Sequence, residues 1–200
     1  MSANRTKAVR ALGIVGSPRR RGNTDVLVDE VLAGAKEQGA AFEKVYLGRL
    51  DISPCRACDT CKKTGVCVVQ DDMQSLLKKM RAADVWVLGT PVYFWGPTGW
   101  FKAFVDRWYG ARKQVRFEDK HAVVVVPMED TNPATARHTT GMMQDTLDHV
   151  KTPLVTTVVA PGVLKRGAVQ AKIEAMRSAR RAGRDAAARA YAKRQCHPSD

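Results

Sequence analysis

Apolar positions along this chain follow two periods in alternation. Ala8–Val15 is an apolar run closed by Gly16, and Phe42–Leu47 alternates as a strand does. Val85–Leu88 is a short apolar segment, His121–Val126 contains consecutive valines, and Leu154–Ala160 makes a further candidate strand. A valine run suits a strand covered on both faces. Between these segments the period lengthens to that of a helix. Thr24–Gln38 carries Leu27, Val31 and Ala35 on one stripe, and Asp71–Ala82 turns Met73, Leu76, Leu77 and Met80 inward. Gly99–Tyr109 is an aromatic-rich helix and Ala134–Val150 another. Gly167–Lys193 closes the chain, with Ile173, Met176, Ala179 and Ala182 recurring at threes. Strands separated by helices predict an α/β fold, a parallel sheet with right-handed crossovers in a three-layer sandwich. No repeat or interdomain linker interrupts the pattern, so one domain over residues 1–200 is expected.

Composition narrows this without changing it. A chain of 200 residues with 44% hydrophobic content suits one domain with a real core. No stretch approaches the roughly 20 apolar residues of a membrane span. Met1–Lys7 runs straight into a strand-like segment with no apolar signal core, so a cytoplasmic location is expected. Cysteines in that compartment point to metal or redox chemistry rather than a disulfide framework. The net charge of +13 raises the question of nucleic acid. Much of the excess lies after Lys165, in an Ala- and Arg-rich segment. It reads as a basic helical tail from about 167, with a solvated face and a frayed end at Gln195–Asp200. Tyr191 is its one aromatic residue, so it lacks the stacking ladder of a polyanion-binding arm. Neither nucleic acid nor membrane is an expected partner.

In a sheet of this kind the ligand sits outside the carboxyl ends of the strands, which singles out the loops there. The first is Gly16-Ser-Pro-Arg-Arg-Arg-Gly-Asn-Thr24. Gly16 and Gly22 permit a tight path, Ser17 and Thr24 offer hydroxyls, and Asn23 can cap the helix that follows. Amides at a helix start beside Arg19–Arg21 make a site for a dianionic phosphate. The loop has neither the Walker Gly-Lys-Ser/Thr nor the dinucleotide Gly-x-Gly-x-x-Gly, so a mononucleotide phosphate fits it better. From the residues alone a merely basic turn stays open. In the loop after the third strand, Tyr93, Phe94 and Trp95 begin a run to Tyr109 that holds most of the chain's aromatics. Phe101, Phe104 and Val105 are expected in the core, and Tyr93–Trp95 at a cofactor or dimer contact. The loop after the fourth strand is Pro127-Met-Glu-Asp-Thr-Asn-Pro133.

The loop after the second strand carries Cys55-x2-Cys58-x2-Cys61-x5-Cys67. Two-residue gaps let neighbouring thiolates turn to one centre, and Gly65 frees the chain to bring Cys67 round. Such a compact set fits a cubane [4Fe–4S] cluster, each iron taking one thiolate. A zinc site, a thiol switch, or cysteines kept without any cluster remain alternatives. Cys196 stands apart as a bystander. His121 opens a strand and reads as structural. His138 and His149 share a helix face with no third ligand, so no metal is assigned to them.

Gly16-Ser-Pro-Arg19 followed by Gly22-Asn-Thr24 resembles the phosphate loop of the NADPH-dependent FMN reductase and iron–sulfur flavoprotein families. Thr90-Pro-Val-Tyr-Phe-Trp-Gly-Pro97 and Lys102-Ala-Phe-Val-Asp-Arg107 resemble them too. The cysteine motif, down to Asp71-Asp-Met73, is similar to the compact cluster motif of the iron–sulfur flavoproteins. The resemblance runs from about Ala8 to Trp108 and is thinner beyond, where Ala160-Pro-Gly-Val163 also matches. It implies a flavodoxin-like sheet in the order 2-1-3-4-5. Ser17, Arg19, Asn23 and Thr24 would hold the FMN phosphate. Pro91, Val92, Tyr93, Phe94, Trp95 and Gly96 would line the isoalloxazine ring, mainly through backbone groups. Cys55, Cys58, Cys61 and Cys67 would ligate the cluster. The resemblance also implies a homodimer or homotetramer in which a neighbour helps enclose the flavin.

Electrons would come from a ferredoxin-like protein or NAD(P)H and pass to dioxygen, peroxide or a quinone. Arg56, Lys62 and Lys63 would raise the potential of the anionic centre and meet an acidic donor. The alternative is an NAD(P)H-dependent FMN, quinone or nitro-compound reductase without a cluster. Electron and hydride transfer belong to the flavin, so no catalytic side chain is assigned. The loop Pro127–Pro133 departs from the family, which commonly has glycines there.

Overall fold

The computed structural model describes residues 8–196; the expectations for Met1–Lys7 and for the last tail residues, His197–Asp200, lie outside it. Strands β1 (Arg10–Val15), β2 (Ala41–Tyr46), β3 (Val85–Gly89), β4 (His121–Pro127) and β5 (Leu154–Ala160) form one parallel sheet. Its order is β2-β1-β3-β4-β5, as expected. Every residue of β3 and β4 is buried, which is why both read as unbroken apolar runs. The edge strands β2 and β5 are more exposed.

Helices α1 (Asn23–Glu37) and α6 (Ile173–Cys196) cover one face; α3 (Met73–Ala82), α4 (Gly99–Asp106) and α5 (Arg137–His149) cover the other. A short helix, α2 (Thr60–Thr64), lies in the loop after β2. No helix among the described residues is long and apolar enough to cross a membrane.

The two faces are packed by different chemistry. Under α3–α5 the core is aromatic, with Trp108 at its centre. The ring centroids of Phe117, Phe104 and Trp86 lie 5.3, 5.4 and 5.7 Å from it. Phe101, Phe104 and Val105 are buried there, as the sequence led one to expect. Under α1 and α6 the core is valine and alanine, and the two helices meet closely. A Cβ on Gly34 would strike the Arg180 carbonyl, and one on Gly183 the Val31 carbonyl.

Over the described residues the C-terminal segment is a helix packed as a member of the outer layer. Its buried stripe is Ala179, Ala182, Ala186, Ala187 and Ala190, whereas Ile173 is 55% exposed. Several of its charges are paired. Arg180 meets Glu30 and Glu37 at 2.8 Å, Arg184 meets Glu37 at 3.0 Å, and Arg194 meets Asp84 at 2.7 Å.

Candidate functional site

The loop after β1 is locked to the loop after β3 through backbone and hydroxyl groups. The Gly16 amide donates to the Gly89 carbonyl at 2.7 Å, and the Thr98 hydroxyl donates to the Gly16 carbonyl at 2.6 Å. A Cβ on Gly16 would lie 2.8 Å from Phe101 Cδ2 and 3.0 Å from the Gly89 oxygen, so glycine is what lets the loops close up. Helix α1 then starts without a side-chain cap, leaving its first amides for an external acceptor.

Asn23 does not cap α1, because Gly22 already occupies that position. Instead its amide group ties down the loop after β5. Nδ2 donates to the Val163 and Lys165 carbonyls at 2.9 and 3.1 Å, and Oδ1 accepts from the Val169 amide at 3.1 Å. What Asn23 offers a phosphate is therefore its backbone. Ser17 is nearly buried, with Oγ accepting from the Arg19 amide at 3.2 Å, and Thr24 is buried. Arg19 reaches the Leu164 carbonyl at 3.4 Å.

Asp25, which the sequence did not single out, fixes the loop from below. It accepts from the Arg21 amide at 2.7 Å and from Lys44 Nζ at 2.6 Å. Arg21 sits at φ 52°, a left-handed conformation that this contact holds. Burial works to lower the pKa of Lys44, but its bonds to Asp25, Asp29 and Tyr46 outweigh that and raise it.

Ser17, Arg19, Asn23 and Thr24 form one wall of a cleft of about 120 Å³; Pro91, Val92 and Tyr93 face them, with Glu129 and Leu164 at the rim. A second hollow of about 390 Å³ continues it past Val92, Phe94, Trp95 and Glu129. Gly96 turns the chain back between the two. Its amide donates to the Tyr93 carbonyl at 3.0 Å and its carbonyl accepts from the Tyr93 amide at 2.8 Å. Phe94 and Trp95 form the tip at φ 46° and 63°, where side chains of this size are uncommon. They are 96% and 53% exposed, so the strained tip presents two aromatic rings to the outside. The Thr139 hydroxyl holds the Trp95 carbonyl at 3.0 Å.

The loop Pro127–Pro133 manages without glycine because Asp130 folds it. Its carboxylate accepts from the Asn132 amide at 2.9 Å and the Thr135 hydroxyl at 2.6 Å, and it stays below its usual pKa for that reason. A larger groove, about 890 Å³, runs between β5 and α6, away from these loops.

The cysteine loop is held differently. At its base the Asp51 amide donates to the Asp72 carboxylate at 2.9 Å, and the Asp72 amide to the Asp51 carbonyl at 3.0 Å. The chain enters α2 through Asp59 and leaves through Gly65, both left-handed. Cys55, Cys58, Cys61 and Cys67 are all free thiols and line one small cavity of about 20 Å³, with Arg107, Tyr109 and Gly110 as its floor. A Cβ on Gly110 would lie 3.4 Å from Cys61 Sγ, in van der Waals contact, so the turn after α4 packs directly against the cysteines. Among the described residues no three His, Cys, Asp or Glu side chains converge closely enough for a single ion. The backbone and hydroxyl of Thr60 lower the pKa of Cys58. Arg56, Lys62 and Lys63 sit exposed at the rim, and Lys62 bonds Asp59 at 3.1 Å.

Helix α4 joins the two sites. Thr98 caps it beside Gly16, and the turn that continues it, Arg107–Gly110, floors the cysteine cavity. The helix between is about 12 Å long. Gly48, just after β2, packs between Pro18 and Trp100, so the cysteine loop adjoins the phosphate loop at its root, but the cysteine cavity shares no residue with the cleft. His138 and His149 are exposed, and His149 Nε2 lies 3.2 Å from Arg112. His121 is buried, and burial pushes its pKa down.

A parallel sheet in this order, with an uncapped helix start and strained loops at its carboxyl edge, defines a flavodoxin-like fold. The chain belongs to the NADPH-dependent FMN reductase family, a family of flavin-dependent oxidoreductases, whose sequence profile matches residues 9–138. An iron-sulfur flavoprotein of Methanocaldococcus jannaschii is 42% identical over 99 residues, 50% of this chain and 51% of that protein. An iron-sulfur flavoprotein of Methanosarcina thermophila is 36% identical over 99 residues, 50% of this chain and 52% of that one. The chain thus spans about half the length of the curated relatives it matches. Among solved structures, an NAD(P)H:quinone oxidoreductase from Methanothermobacter marburgensis superposes with a TM-score of 0.68 at 21% identity. That match covers 89% of this chain and 94% of the other, and the likeness is one of fold.

Proposed function

We propose that this protein is an iron–sulfur flavoprotein, an oxidoreductase that takes single electrons at Cys55, Cys58, Cys61 and Cys67 and delivers them through FMN to a small acceptor. The observation that carries the reading is that all four cysteines line one cavity, closed by Gly110 and a buried guanidinium. Three cysteines at two-residue spacing with a fourth close behind suit a compact cluster, whereas structural zinc sites commonly pair two separated knuckles. A cubane spreads its four thiolates over four irons and accepts a wider set. Homologues named iron-sulfur flavoproteins support the same choice.

The FMN assignment rests on the family and on the cleft. The first amides of α1 would take the phosphate together with Ser17, Arg19 and Thr24, while Pro91–Gly96 would border the ring. Bound FMN supplies one- and two-electron chemistry, and a [4Fe–4S] cluster one-electron exchange. The chain's own part is to hold both within reach through α4 and to keep water from the ring with Tyr93, Phe94 and Trp95. The donor would be a ferredoxin-like protein or NAD(P)H, the acceptor dioxygen, peroxide or a quinone, the assembly a homodimer or homotetramer, and the location cytoplasmic.

A second reading, an NAD(P)H-dependent FMN, quinone or nitro-compound reductase without a cluster, is favoured by the exposure of Cys55 and Cys58. Anaerobic purification with assay of iron, sulfide and zinc per FMN separates the two. Iron and sulfide in equal amounts, about four of each per FMN, support the first. Flavin without either overturns it, and rapid reduction of that flavin by NADPH would establish the second.

A further inference from the structure

Two cations line the cysteine cavity, the exposed Arg56 and the buried Arg107, which follows Cys67 by forty residues. The Arg107 side chain is 1% exposed, and that of its partner Asp71 is 3% exposed. The pair is bidentate: Nη1 donates to Asp71 Oδ2 at 2.5 Å and Nη2 to Asp71 Oδ1 at 3.1 Å. The same two nitrogens reach the flanks of the cysteine motif. Nη1 donates to the Ser53 carbonyl at 2.9 Å, two residues before Cys55, and Nη2 to the Val69 carbonyl at 3.2 Å, two residues after Cys67. Asp71 completes the clasp by accepting from the Ser53 amide at 3.0 Å and the Met73 amide at 3.1 Å. One guanidinium on the turn after α4 therefore gathers both ends of a loop that has little structure of its own.

A clasp for stability alone would not need a charge. A buried ion pair is weak support for a fold, and well-packed apolar groups commonly replace one without loss. Two further observations give this pair a ligand-facing role. Arg107 Nε is buried with no hydrogen-bond partner among the described residues. Cys67 also lines the same small cavity as the guanidinium. By contrast Arg56, Lys62 and Lys63 stand in water, where screening weakens their field.

We propose that Arg107, locked by Asp71, is the positioning residue of the cysteine site: it sets the span of the loop, and its guanidinium in the cysteine cavity tunes the potential of the cluster held there. This rests on the cluster reading above. A positive group beside an anionic centre favours the more negative, reduced state, and a hydrogen bond to a ligating sulfur acts in the same sense.

The test uses FMN-loaded protein prepared without oxygen, as wild type, Arg107→Gln, Arg107→Lys and Asp71→Asn. Arg107→Gln leaves a carboxylate unmatched near the cluster, and Asp71→Asn leaves a guanidinium unmatched. Iron per FMN should fall several-fold in both. A dithionite titration of the remaining cluster should show its potential moving down in Arg107→Gln and up in Asp71→Asn. Arg107→Lys keeps the charge and loses the fork, so it should recover the wild-type potential more fully than the wild-type iron content. Potentials that stay put, or move together, would leave only a structural clasp and overturn the proposal.

Wild-type protein with FMN but no iron or sulfide would fail the cluster reading itself. The clasp is then read in that iron-free protein by trypsin cleavage at Arg56, Lys62 and Lys63. Cleavage several-fold faster in Arg107→Gln supports positioning, and an unchanged rate overturns it.

Discussion

The loops that follow β1 and β2 bring polar chemistry to the same edge of the sheet by different means. The first is short, and its neighbours in space are strand ends and helix caps. Gly16 bonds Gly89, Thr98 bonds Gly16, and Asp25 bonds Arg21. The second runs from Asp51 to Asp72 with one five-residue helix and left-handed turns at Ala57, Asp59 and Gly65. Its fixed points come from elsewhere: Arg107 at its two ends, and Tyr109, Lys113 and Gln114 along it. A site made from backbone at strand ends is stiff because the sheet is stiff. A site on a long loop is only as ordered as the side chains that clasp it. The first loop is therefore set by backbone at the strand ends, while the cysteine site depends on distant side chains and, on the reading proposed here, on its own ligand.

Four substitutions or conditions sharpen that contrast. Cys61→Ser should have the largest effect and the narrowest: iron falls to background, while FMN content and thermal midpoint, measured on the same preparation, hold. If the midpoint falls steeply, the cysteine loop is part of the core and the contrast breaks. Gly16→Val should act the other way round. Its Cβ meets Phe101 and the Gly89 carbonyl, so stability drops by about 1–3 kcal/mol and FMN binds about 10- to 100-fold more weakly in fluorescence titration. Thr98→Val leaves the Gly16 carbonyl without its donor, at a cost of about 1–3 kcal/mol in urea unfolding and a smaller loss of FMN.

Acid should produce the smallest and most local change. Burial works to raise the pKa of Asp71, yet Arg107 and the Ser53 and Met73 amides outweigh it and leave it below the ordinary carboxylate range. Protons are thus bound more readily when the clasp is open, and its stabilisation is present above about pH 4 and lost as pH falls below that. Hydrogen exchange over residues 55–67 of iron-free protein, corrected for the intrinsic rate, should accelerate in that window. Asp71→Asn should abolish the pH dependence, and equal acceleration over residues 16–24 would remove the contrast.

Most of the fold was legible because its signals are local. The valines of β4 and the apolar stripes of α1 and α3 report burial directly, and strand-helix alternation leaves few topologies. That Ser17, Arg19, Asn23 and Thr24 share one cleft was legible for the same reason. Asn23 was misread as a cap because adjacency in sequence suggested it. Its true partners, Val163, Lys165 and Val169, are remote in the chain. The stripe of α6 was legible at Met176, Ala179 and Ala182 but not beyond, because alanine carries a weak hydrophobic signal, so the exposed Ile173 was included and Ala186, Ala187 and Ala190 were missed.

The cations of the cysteine site were sought next to the cysteines, at Arg56, Lys62 and Lys63. Arg107 stood in view within Lys102–Arg107, but nothing local links it to Asp71 or Ser53. Only the turn that ends α4 does so. A buried pair formed across 36 residues leaves no periodic trace.

Anaerobic titration of the oxidised protein with dithionite, followed by absorbance to completion, tests the central claim most directly. FMN and a four-cysteine cluster together should take up about three electrons per protomer, two at the flavin and one at the cluster. Cys61→Ser should take up about two. An endpoint of two electrons in protein that retains all four cysteines and a full complement of FMN would contradict the account.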